Sequence, residues 1–126
     1  MNNETIVKLN ELLKSLCLEV PGTKGSLLIT EDGFIVASNL SNVTEYYEMG
    51  KMYASFSKTG KKFTEKILKS PGIRFSIWNK NGDIQCFPVS NNMLLVIVSE
   101  SESRPGLLLL RVTKMIELLS EVLNDV

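Results

Sequence analysis

The 126-residue chain has no histidine, only two cysteines and four prolines, and 14 basic residues that cancel 14 acidic ones. Without histidine there is no Ser-His-Asp or Cys-His arrangement, no imidazole base and no imidazole metal ligand, so the commonest hydrolase and zinc chemistries are excluded. Cys17 and Cys86 are too far apart in sequence for a CxxC motif or a zinc knuckle, and both read as buried thiols rather than a redox pair. Long apolar runs are also missing. The longest, Leu107 to Leu110 and Met93 to Val98, fall far short of a membrane span, and the first residues, MNNETIVKL, carry neither the basic nor the apolar stretch of a signal peptide. A cytoplasmic location is therefore expected. The Asn-x-Ser/Thr triplets at Asn3, Asn39 and Asn42 have no glycosylation route there, and helix capping accounts for Asn3 and Asn42. What the chain does have is 44% apolar residues, enough for one core without disulfides or metal.

Periodicity places the elements. Ile6, Leu9, Leu13, Leu16 and Val20 form the stripe of a first helix from Asn3 to Val20, stopped by Pro21-Gly22. Ser26 to Thr30 and Phe34 to Ser38 flank Glu31-Asp32-Gly33 as a hairpin, in which the two carboxylates read as turn residues rather than an acid/base pair. Asn42 with Glu45 resembles a capping box. It opens a second helix in which Tyr46, Met49, Tyr53, Phe56, Gly60, Phe63 and Ile67 recur at steps of three and four, the pattern of a core-facing stripe, ending near Lys69 before Ser70-Pro71-Gly72. Ile73 to Trp78, Asp83 to Val89 and Met93 to Ser99 follow as a meander, with Pro88 expected at a strand end or bulge. Leu108, Val112, Met115, Ile116, Leu119, Val122 and Leu123 then form the face of a last helix after Pro105. The order is α-β-β-α-β-β-β-α, an α+β fold over residues 1–126 as one domain. The first, second and fifth strands are apolar on both faces and call for helices on both sides of the sheet, which should be thinner near strands three and four.

No catalytic constellation emerges. There is no GxGxxG, and Gly60-Lys61 has Ser55 where a GxxxxGK loop needs glycine. The chain reads as a non-enzyme without cofactor or metal. One charged feature stands out: Lys51, Lys58, Lys62, Lys66 and Lys69 fall within roughly 80° of one another on the second helix. This is either a solvated face or a docking face for an acidic partner or anionic lipid. Nucleic acid suits it poorly, because net charge is zero and neither arginines nor aromatics interleave. Residues 51 to 69 hold six lysines and one glutamate, or +5; the remainder, with 8 basic and 13 acidic residues, carries −5. A second face of the same helix, Tyr47, Gly50, Ala54, Ser57 and Leu68, is small enough to approach a symmetry mate or to lie under a local loop. The half-covered strand with Ile73, Phe75, Ile77 and Trp78 also asks for a partner, since an open apolar edge invites association. A homodimer is expected.

The stretch Val20-Pro21-Gly22-Thr23-Lys24-Gly25-Ser26-Leu27-Leu28-Ile29-Thr30-Glu31-Asp32-Gly33-Phe34-Ile35-Val36-Ala37-Ser38, with the element order, resembles the roadblock family of dynein light chains and of regulators of small GTPases. The resemblance covers nearly the whole chain. It implies a five-stranded antiparallel sheet with the second helix on one face and the other two on the opposite face. It also implies dimers that pair through their third strands with the second helices side by side, which would put Tyr47, Gly50, Ala54, Ile73, Phe75 and Ile77 at the interface. Partners of that family include Ras-like GTPases bound across the helix pair; membrane association would be only indirect. The family shares no active-site residues. If an arginine acted on a GTPase, only Arg74, Arg104 and Arg111 are present, and Arg111 reads as a surface residue. The alternative is a small-ligand sensor of profilin-like or PAS-like type, which requires a sizeable apolar pocket between sheet and helices.

Overall fold

The structure, a computed structural model, describes residues 1–40, 48–70, 73–90, 92–100 and 105–124. Among the described residues three helices and five strands follow the expected order: α1 (Asn3–Glu19), β1 (Thr23–Thr30), β2 (Ile35–Asn39), α2 (Met49–Phe63, continued by a π turn over Thr64–Leu68), β3 (Phe75–Asn79), β4 (Gly82–Val89), β5 (Met93–Glu100) and α3 (Pro105–Asn124). The sheet is antiparallel in the order β2-β1-β5-β4-β3, so of the three strands read as apolar throughout, β5 is central, β1 is its neighbour and β2 lies at the edge.

Side-chain alternation divides the core into two layers. Leu28, Leu95, Ile97 and Phe87 face α1 and α3 and pack with Leu9, Leu13, Leu16, Leu108, Val112, Met115 and Leu119. Leu27, Ile29, Leu94, Val96 and Cys86 face the other way, where Tyr53 of α2 closes a smaller layer. Burial in that layer pushes the Cys86 thiol up to about 12 from 9.0, by desolvating the thiolate. The folded state then holds a proton that the unfolded chain releases above pH 9. Stability conferred by Cys86 is present below that pH and is lost as pH rises toward 12. Denaturant midpoints of the wild type should therefore fall more steeply across pH 9 to 12 than those of Cys86→Ala, and a parallel decline would refute this.

Local chemistry explains the boundaries. The cap of α1 is Asn2, whose Oδ1 accepts from the N–H of Thr5 at 2.8 Å, rather than the expected Asn3. Asn42, Glu45, Tyr46 and Tyr47 lie outside the described residues. Pro88 lies one residue from the end of β4, opposite Leu94 of β5; alternation turns its missing donor toward the side where β3 has already ended, as strand proline requires. Lys69 closes α2 in the left-handed region at φ 61°, with its N–H on the carbonyl of Thr64.

The two sheet edges differ. On β2, Asn10 of α1 takes the N–H of Ser38 at 3.0 Å and so blunts the edge. No such cap lies on β3 among the described residues.

Candidate interaction surface

The orientation of α2 corrects the sequence reading. Met49 and Tyr53 turn inward as expected, but Phe56, Phe63 and Ile67 of the same stripe are 53%, 63% and 71% exposed. Gly50, Ala54 and Ser57, whose face suits either a second copy or a local loop, are buried against the chain's own sheet and hairpin. The reason is the close approach of α2 to the β1–β2 turn. Gly33 sits at φ 91°, and a Cβ on Gly50 would overlap the carbonyl oxygen of Gly33, so only small residues fit on the inner face here. Gly50 and Ala54 thus belong to the intramolecular packing and not to an interface.

With that face inward, the two flanks of α2 acquire different chemistry. One carries Met52, Phe56, Phe63 and Ile67 and leans toward β3: the Phe56 ring stands 5.9 Å from that of Phe75, and Gly60 leaves room for the Ile73 side chain. Ile73 and Phe75 are half-buried and Ile77 is exposed, so apolar surface runs from the flank of α2 over the edge strand without a break. Such a patch is of the kind soluble proteins keep for association.

The opposite flank carries the lysines. Lys51, Lys58, Lys62, Lys66 and Lys69 are all exposed. Lys58 lies 3.8 Å from Asp32, and Lys61, which the stripe did not include, lies 3.2 Å from Glu31. The two turn carboxylates therefore tether α2 to the hairpin, while the local turn bonds come from Thr30, whose Oγ1 accepts from Phe34 and whose carbonyl accepts from Gly33. Both ion pairs are open to solvent and contribute little stability, about 0–1 kcal/mol each. Nothing in sequence spacing reveals this pairing, because it joins residues about 30 apart. Lys69 Nζ donates to the carbonyl of Lys66, leaving Lys51, Lys62 and Lys66 with no carboxylate partner among the described residues.

Cavities are shallow and open. Among the described residues, cavities of about 200 to 280 Å³ lie at the foot of the sheet beside Ile77, Ile84 and Val98, along Met52 and Phe56 on α2, and between Lys61 and the β4–β5 turn. Each of these is smaller than typical ligand pockets of roughly 300–1,000 Å³, and the ligand-sensor reading asks for a larger one. Among the described residues no three His, Cys, Asp or Glu side chains gather as metal ligands, and no helix is long and apolar enough to cross a membrane.

The backbone decides the architecture. Myxococcus xanthus MglB superposes with a TM-score of 0.89 at 16% identity, covering 99% of this chain and 94% of that one. This is the roadblock fold. A Roadblock/LC7 domain from Streptomyces avermitilis gives a TM-score of 0.86 at 12% identity, covering 90% of this chain and 96% of that one. Profilin IB of Acanthamoeba castellanii is also similar, at a TM-score of 0.62 and 12% identity over 90% and 97% of the two chains, so the likeness extends to the wider profilin-like architecture. No protein-family model matches the sequence, and no curated protein matches it.

Proposed function

We infer that the chain is a homodimeric, non-enzymatic interaction module of the cytoplasm that docks a small Ras-like GTPase, or a related signalling or motor assembly, on its α2 face. The observation that carries this reading is the division of α2 into an apolar flank continuous with an open edge strand and a lysine flank facing away from it. The apolar flank, with Ile73, Phe75 and Ile77, suits a second copy, because β3 pairing extends the sheet and sets two α2 helices side by side. The lysine flank then lies outermost, where Lys51, Lys58, Lys62, Lys66 and Lys69 offer positive potential to an acidic partner surface. The roadblock fold supplies the GTPase as the partner class, by analogy of fold. Action on such a partner is by holding a conformation of its switch segments, which needs no catalytic group from this chain.

The test is affinity capture with the Lys58→Glu/Lys62→Glu/Lys66→Glu variant beside the wild type. Retention of the partner should fall at least about tenfold, with the loss growing at low ionic strength as expected for steering charges. Unchanged capture would remove the lysine flank from the docking surface.

A further inference from the structure

Resting on the dimer reading above, in which β3 pairs with β3 of a second copy, we propose that the two-fold axis lies at Ser76 and that Arg74 of each copy meets the partner subunit's Trp78, fixing this register. The hairpin geometry supplies the first step. The turn Lys80-Asn81 closes on the pair Asn79 and Gly82, and a two-residue turn makes that pair a hydrogen-bonded one. Alternation then sends the N–H and C=O of Phe75, Ile77 and Asn79 into β4 and turns those of Ser76 and Trp78 to the open side, and continuing the strand by one residue adds those of Arg74. The edge therefore presents three donor and acceptor sets, on residues of one parity.

In a symmetric antiparallel pair that keeps both α2 helices on one face, residues of like parity meet, so the axis must pass through a single residue. Centred on Ser76, Arg74 faces Trp78 twice and Ser76 faces itself, using all three open sets for about six hydrogen bonds. Centred on Phe75 or Ile77, the strands slide by two positions, and about four remain. The side chains agree with the first choice. On the α2 face it places Phe75 against Ile77 of the second copy in both halves, an apolar pair continuous with Phe56. On the other face it separates the two Arg74 side chains and sets each cation near an indole.

Both groups are prepared for this. Trp78, the only tryptophan in the chain, is 74% exposed, and its Nε1 donates to Ser76 Oγ at 2.9 Å, which ties the indole to the strand. The Arg74 guanidinium lies 5.1 Å from the Phe87 ring centroid and has no carboxylate partner among the described residues. Tryptophan and arginine are the residue types that most often dominate binding energy at interfaces, and here both stand on one face of an unpaired edge.

Cysteine scanning of the seam in a Cys17→Ser background decides the register. Facing Cα atoms of a hydrogen-bonded pair are about 5.5 Å apart, within disulfide reach, whereas residues displaced by two positions are more than about 7 Å apart. Under oxidised glutathione, Ser76→Cys should form a covalent dimer at least about tenfold faster than Phe75→Cys or Ile77→Cys. Faster linking at 75 or 77 in a dimer would move the axis and overturn the proposal, as would a dimeric mass with no linking at any of the three. A monomeric mass for the unmodified protein would instead overturn the dimer reading on which it rests. Independently, Arg74→Ala, Trp78→Ala and the double variant should show a coupling of about fivefold or more in the dimer dissociation constant, equivalent to about 1 kcal/mol. Additive effects would remove the Arg74–Trp78 contact.

Discussion

Replacing Phe56 and Phe63 together by glutamate should turn the protein into a monomer without unfolding it. Both rings are more than half exposed in the isolated chain, so their loss costs the monomer little, within about 0.5 kcal/mol for a surface position. In the proposed dimer the same rings are buried. A fully buried Phe contributes about 1.5–3 kcal/mol, so the substitution weakens association at least about 100-fold even before the cost of placing carboxylates there. Sedimentation and a thermal melt on the same sample check both halves of this expectation. A monomeric sample with a collapsed melt would mean that α2 needs these rings for its own docking.

The second large effect concerns Gly50. Since a Cβ at this position meets the backbone of Gly33 rather than a yielding side chain, Gly50→Ala must push α2 away from the β1–β2 turn. Overpacking of this kind costs about 1–3 kcal/mol, which for a chain of this length lowers the melting temperature by about 4–15 °C. Gly106→Ala is the control, because nothing lies within 4 Å of the added carbon, and it should leave the melt unchanged or raise it slightly. Equal melts for the two variants would show that the Gly33–Gly50 approach is not a constraint.

These two cases also mark where the sequence was readable. Helix and strand order could be read because each boundary has its own chemistry: Pro21-Gly22 after α1, Gly33 between β1 and β2, and the turn Asn79-Lys80-Asn81-Gly82 between β3 and β4. Of the strands read as apolar on both faces, β1 and β5 are indeed covered on both sides, whereas β2 lies at the edge of the sheet. The facing of α2 was not readable. A stripe at steps of three and four reports that something covers those residues, not whether the cover is the chain's own sheet or another molecule, and Phe56, Phe63 and Ile67 lie outside the chain's own core. Small residues were rightly associated with close approach, but Gly50 and Ala54 approach the hairpin within the chain. Glu31 and Asp32 lie in the turn as their composition indicates, and only the structure shows their side chains reaching Lys61 and Lys58. Arg74 and Trp78 gave a sequence signal in their rarity, one of three arginines and the only tryptophan, the first just before the edge strand and the second on it.

The uncovered flank of α2 and the open edge of β3 either meet a second copy or stand free in solution. Molar mass in solution, measured by light scattering at micromolar concentration, addresses this most directly. A value near twice 14.1 kDa is predicted, falling to the single-chain value for Phe56→Glu/Phe63→Glu; 14.1 kDa for the unmodified protein would contradict the account.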